Sequence, residues 1–143
     1  LQESGSDNRY PWGYDQYMAT KEITKNNLES TIDEGGIVLL DFWADWCGPC
    51  RRFAPIYEAA AEKHPDIVFG KVDTEAEQEL TASYQITSIP TQMTYSDGIN
   101  LFSQTGAING RSLDQLITAI RELDMDDVRT QLAEQEAKQE AAN

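Results

Sequence analysis

Seven consecutive residues, Ile37 to Trp43, form the most apolar run in the chain, and one carboxylate, Asp41, interrupts it. A continuous run of this length reads as a strand covered on both faces, because a half-solvated strand alternates apolar and polar residues. Such a strand needs helices above and below it. On its N-terminal side, Thr24 can cap a short helix that carries Leu28 and Ile32 at i, i+4 spacing and ends at Gly35-Gly36. On its C-terminal side, a helix starts after Cys47 and reaches about Lys63, with Phe53, Ile56, Tyr57 and Ala60 along one side. Pro55 bends it, since proline removes a backbone donor and clashes with the preceding turn.

The alternation continues down the chain. Ile67 to Val72 reads as a second buried strand, and Thr74-Glu75-Ala76-Glu77 has the form of a capping box that predicts a helix to about Tyr84. Thr91–Tyr95 and Asn100–Gln104 predict a hairpin turning at Ser96-Asp97-Gly98. Ser112-Leu113-Asp114-Gln115 is another capping box, opening a helix with Leu113, Leu116, Ile117 and Ile120 on one face. Strands and helices in this order predict an α/β domain: a central sheet, parallel where helices connect its strands, with helices on both faces.

Both ends differ in composition from this body. Residues 1–17 hold Tyr10, Trp12, Tyr14 and Tyr17 with Pro11 and Gly13, and Leu1-Gln2-Glu3-Ser4-Gly5 resembles a piece of antibody heavy-chain framework. Met18-Ala19-Thr20-Lys21 reads like a natural start, so residues 1–17 are expected to be a non-native leader, a tag or displayed peptide, and the domain to span 18–123. The rival reading is a natural extension whose aromatics dock on a surface. From Asp124 the chain turns to Ala, Gln and Glu; Met125, Val128 and Leu132 make a short apolar stripe that stops beyond Ala133. Residues 124–143 are therefore expected to be a helical tail that docks weakly by its first turns and frays later, with a dimerisation helix as the less favoured reading.

Lys and Arg total 11 against 25 Asp and Glu, giving a net charge of −14 and a pI near 4.2. That balance argues against nucleic acid or anionic membrane surfaces as partners, since both need clustered cations, and it favours solubility. No stretch approaches the roughly 20 apolar residues that span a bilayer. The N-terminus lacks the basic start and apolar stretch of a secretory signal.

The two cysteines, Cys47 and Cys50, are too few and too close to staple a secreted mini-protein, so the pair reads as chemistry. Cys47 sits at a helix N-terminus, where unpaired N–H groups and the helix dipole favour thiolate, the attacking species. Cys50 lies one turn later on the same face, near enough to close a disulfide, and is expected to be the less exposed of the two. Structural zinc is the main rival, but zinc takes about four protein ligands and this pair has no second set. His64, the single histidine, lies far along the helix beside Pro65 and reads as a solvated helix-end residue, so no metal is expected.

The stretch Asp41-Phe42-Trp43-Ala44-Asp45-Trp46-Cys47-Gly48-Pro49-Cys50 closely resembles the active-site signature of the thioredoxin family. Ala54-Pro55, Lys71-Val72-Asp73, Ser88-Ile89-Pro90-Thr91 and Gly106-Ala107 follow in that family's order and spacing, so the resemblance runs from about residue 21 to 123. It implies the thioredoxin fold, with a mixed five-stranded sheet, and a cytoplasmic, monomeric protein-disulfide reductase. Cys47 resembles the family's nucleophile, Cys50 its resolving cysteine, Asp41 its buried carboxylate, Lys71 the charge partner of that acid, and Pro90 its cis-proline facing the disulfide. Physics agrees for Asp41: an acid in an apolar strand resists ionising, so its pKa should rise toward neutrality and let it accept the Cys50 proton. Gly48 and Pro49 support the pair, and Trp46, Ile89, Thr91, Gly106 and Ala107 would line a shallow groove for an extended segment of the client. Trp43 reads as core. The implied partners are disulfide-containing client proteins and a thioredoxin reductase as electron donor; no cofactor is implied, since both redox atoms belong to the chain.

Gln92 and Thr94 depart from the family, standing where aliphatic residues are frequent on a strand covered on both faces. Either that face is polar and hydrogen-bonded here or the covering helix differs, and packing rather than chemistry is at stake. Arg51 replaces a frequent lysine and keeps positive charge near the thiolate. Gly48-Pro49 resembles the reducing members, whereas a histidine between the cysteines is typical of the family's oxidants. Three other readings follow: a disulfide oxidase or isomerase, a carrier presenting the aromatic leader, and a binding subunit with incidental cysteines.

Overall fold

A computed structural model of the chain describes residues 18–142. The leader assigned to residues 1–17 lies outside them, as does Asn143. The elements run β1 (Lys21–Glu22), α1 (Leu28–Asp33), β2 (Ile37–Trp43), α2 (Gly48–Lys63), β3 (Val68–Asp73), α3 (Gln78–Ser83), β4 (Thr91–Ser96), β5 (Ile99–Thr105), α4 (Gly110–Arg121) and α5 (Met125–Ala142).

The strands form one mixed sheet in the order β1-β3-β2-β4-β5. The apolar run is its central strand β2, parallel to β3 and antiparallel to β4. Because side chains alternate across a strand, β2 feeds two cores at once. Leu39 points to the side where Phe53, Tyr57, Ala60 and Ala61 of α2 and Leu113 and Ile117 of α4 are buried. Val38, Leu40 and Phe42 point to the other, where Leu28 and Ile32 of α1 are buried and Leu80 of α3 packs. This alternation puts Asp41 on the α2 side, on the Leu39 face. Gly70 of β3 is required by close packing: a Cβ there would sit 2.6 Å from Ile23 Cγ1.

The turns explain the strand ends. Asp97 and Gly98, both at positive φ, make a two-residue connection between β4 and β5, the backbone handedness that suits strand twist. Gly35 and Gly36, also at positive φ, close α1.

Helix starts are where the local patterns misled. Thr74 does not cap α3; its hydroxyl donates to Trp43 O, and Asp73 Oδ1 accepts the N–H groups of Glu75 and Ala76 instead. Likewise α4 begins two residues before Ser112, with Asn109 as its cap: Asn109 Oδ1 accepts the Ser112 N–H at 2.8 Å. Thr24 stabilises the turn ahead of α1, where its hydroxyl accepts the Asn26 N–H and its carbonyl accepts the Leu28 N–H. His64 at the end of α2 is not simply solvated: Arg121 of α4 spans it at Nδ1 and Asp66 through both carboxylate oxygens. The C-terminal helix α5 is continuous, with Met125 and Val128 half-buried and no residue buried. Among the described residues, no helix is long and apolar enough to cross a membrane.

Candidate active site

The site forms where β2 ends. Its last residues hand the chain through Ala44, buried, into α2, and Cys47 becomes the N-cap of that helix. Pro49 stands in the first turn, a position that has no helical hydrogen bond to lose. Cys47 and Cys50 are joined in a disulfide with Cα atoms 5.2 Å apart. The Cys50 N–H donates to Cys47 Sγ at 3.2 Å, so the cap interaction of the helix is made by the sulfur itself. Both cysteines are buried, at 4% and 3% exposure, so exposure does not separate them. The asymmetry lies in bonding: Cys47 Sγ receives the helix N–H and lies 3.8 Å from Ile89 O, the residue before a cis peptide bond to Pro90.

The predicted groove residues surround that contact unevenly. Trp46 is 67% exposed and its indole N–H donates to Glu75 Oε2 at 3.2 Å, a partner that the sequence did not reveal. Ile89 is half-buried, while Gly106 and Ala107 are exposed. Gly106, at positive φ, donates its N–H to Pro90 O at 2.8 Å and so ties the two loops together. Thr91 is buried, with its hydroxyl donating to Ser88 O, and supports the Ser88–Pro90 turn from beneath. Arg51 Nη1 donates to Asp45 O.

Behind the disulfide, on the face that α2 covers, Asp41 is 1% exposed. Burial pushes its carboxyl up from 3.8 to about 7, against the opposing pull of the Lys71 ammonium. Lys71 is its register partner on β3, and its Nζ lies 4.8 Å from the centre of the Trp43 ring. Trp43 is half-buried beside the cysteines. On the other side of Asp41 its register partner is Gln92 of β4. The polar departures at Gln92 and Thr94 are both fully buried, and the helices cover that face in the ordinary way.

The thioredoxin family model matches residues 19–122. The chain belongs to the thioredoxin family. It is 50% identical over 120 residues to thioredoxin 2 of Streptomyces coelicolor, covering 84% of this chain and 90% of that one. It is 42% identical over 90 residues to thioredoxin 1 of Plasmodium falciparum, covering 63% and 86%. A solved structure of Plasmodium falciparum thioredoxin superposes with a TM-score of 0.65 at 39% identity, covering 70% of this chain and 98% of that one. A thioredoxin variant from Halobacterium salinarum gives a TM-score of 0.68 at 30% identity, covering 73% and 93%. Family membership and the disulfide-forming pair make the protein a thiol–disulfide oxidoreductase with protein-disulfide reductase activity.

Proposed function

We propose that Cys47 attacks, Cys50 resolves and Asp41 serves Cys50 as base, in a cycle that reduces disulfides of client proteins. The observation that carries this assignment is the bonding asymmetry of the two sulfurs. A Cys47 thiolate at this position keeps the Cys50 N–H and the dipole of α2 as stabilising partners, which lowers its pKa.

The cycle has two exchanges. The Cys47 thiolate attacks one sulfur of the client disulfide; the client S–S bond breaks, and the other client sulfur leaves as thiolate and takes a proton from water. Asp41, half ionised near pH 7 and increasingly so above it, accepts the Cys50 proton, and Cys50 attacks Cys47 Sγ. The mixed disulfide breaks, the second client sulfur leaves as thiolate and takes up the proton that Cys50 gave to Asp41, and the chain retains the Cys47–Cys50 disulfide. Two electrons have passed to the client, and a thioredoxin reductase in the cytoplasm returns them, placing the protein in electron transport. Trp46, Ile89, Gly106 and Ala107 receive the client as an extended segment, with Thr91 holding the turn below it and Pro90 presenting no N–H beside the sulfurs. Lys71 offsets part of the charge on Asp41, and Gly48 and Pro49 fix the spacing of the pair. The domain occupies residues 18–123, and 124–143 is an accessory tail.

Direction is tested by equilibrating the full chain against glutathione. A reductase settles with a potential well below that of the oxidising members, near the roughly −270 mV typical of thioredoxins. A value near −120 mV, where the strong oxidants lie, would replace this reading with an oxidase.

A further inference from the structure

On the side of Asp41 away from Lys71, the sheet carries an unusual concentration of polar groups. Asp41 pairs in register with Gln92, and Leu39 pairs with Thr94, so the Asp41, Gln92 and Thr94 side chains share the face that α2 and α4 cover. All three are fully buried, at 0–1% exposure. Among the described residues, both carboxyl oxygens of Asp41, both amide atoms of Gln92 and the Thr94 hydroxyl find no hydrogen-bond partner. Buried polar atoms almost always find a partner, in protein or in ordered water. An internal water needs two to four polar contacts, and these three side chains offer them.

We propose that Asp41, Gln92 and Thr94 form one internal-water site in which Gln92 is a positioning residue for the Asp41 proton. A glutamine suits that task because its amide donates and accepts. Through the water it supplies a donor to the carboxylate and an acceptor to the neutral acid, so Asp41 changes protonation state without stranding a polar group. An aliphatic residue at the same position serves neither state. Hydrogen bonds to an ionised group are the stronger kind, so Gln92 favours the carboxylate on balance. This inference deepens the assignment of Asp41 as base and rests on it.

The groups that face Asp41 from neighbouring elements are Lys71 on β3, the two cysteines at the start of α2, and the non-titrating Gln92 and Thr94 on β4. From α2, Tyr57 directs its hydroxyl to Gly70 O, and α4 presents the apolar Leu113 and Ile117. In the oxidised protein the cysteines do not titrate, so neither thiol overlaps the Asp41 midpoint.

The test is an NMR titration of the oxidised full chain, following the Asp41 carboxyl carbon and the Gln92 side-chain amide. In the native protein the Gln92 amide signals should move with the Asp41 midpoint. In Gln92→Met, close in shape but without the amide, that midpoint should rise by roughly half to one unit. Thr94→Val should move it in the same direction by less. A Gln92 amide that stays fixed while Asp41 titrates would overturn the proposal. So would a Gln92→Met midpoint within about 0.2 units of native. Should Gln92→Met not fold, the native amide signals alone decide. Failure of the underlying base assignment looks different: Asp41→Asn would then reduce clients at the native rate at neutral pH while the Gln92 coupling persisted.

Discussion

Asp41 combines a folding liability with a proposed chemical use. An unfolded aspartate loses its proton near pH 3.9, while burial holds the folded carboxyl protonated to about 7. Between those values the native state keeps a proton that the unfolded chain has shed. Its contribution to stability is therefore whole below about pH 4, falls as pH rises through that window, and is gone above about 7. The full penalty is up to ~4 kcal/mol, an upper figure because native structure relaxes around a charge. Asp41→Asn removes the titration. Relative to the native protein, its denaturation midpoint, measured with the disulfide intact, should gain steadily as pH rises from about 4 to 7 and should exceed the native value at pH 8. Parallel pH profiles for the two proteins would contradict the burial argument. The acid was legible in the sequence because one carboxylate stood alone in an apolar run. Gln92 was legible only as an oddity, since its neighbour lies across the sheet on β2 and no local spacing connects residues 41 and 92.

At the scale of elements, hydrophobic periodicity was enough for β2 to β5 and for the extent of α2, because burial imposes a period on every residue of an element; the two-residue β1 is too short to show one. Caps obey a weaker rule. A Ser or Thr three residues before Glu or Gln signals a helix start, but several side chains compete for the same few N–H groups. Asn109 wins at α4 by lying one turn earlier than Ser112, and Thr74 is lost to α3 because that helix begins only at Gln78 while Asp73 takes the N–H groups that follow Thr74. Asn109→Ala should consequently lower stability by about 1 kcal/mol in urea unfolding, the usual cost of a lost N-cap. Ser112→Ala should cost far less, and the reverse order would restore Ser112 as the cap. The cysteine helix has a different cap, since its N-terminal N–H goes to sulfur rather than to oxygen. Sequence spacing pointed to the helix start, but the exchange of a cap for a redox atom is visible only in three dimensions.

Across the whole molecule, sheet order turns separate segments into one site. The central strand β2 lies between parallel β3 and antiparallel β4, so Asp41 is flanked by Lys71 on one side and Gln92 on the other, and the start of β4 brings Ile89-Pro90 to the disulfide. The Arg121 bridge to His64 and Asp66 fastens α4 to the far end of the cysteine helix, and the guanidinium holds the Asp66 carboxyl down at about 2. Distant in sequence, these contacts could not be read from it, whereas the succession of strands and helices along the chain could. The central claim is that the buried pair works asymmetrically, with Cys47 attacking and Cys50 resolving. Its most direct test is trapping: Cys50→Ser and Cys47→Ser are each reduced, mixed with a disulfide-bonded client peptide and analysed by mass spectrometry. Cys50→Ser should accumulate a stable adduct on Cys47, while Cys47→Ser forms almost none at neutral pH. Equal trapping on the two variants, or faster trapping on Cys50, would contradict the account.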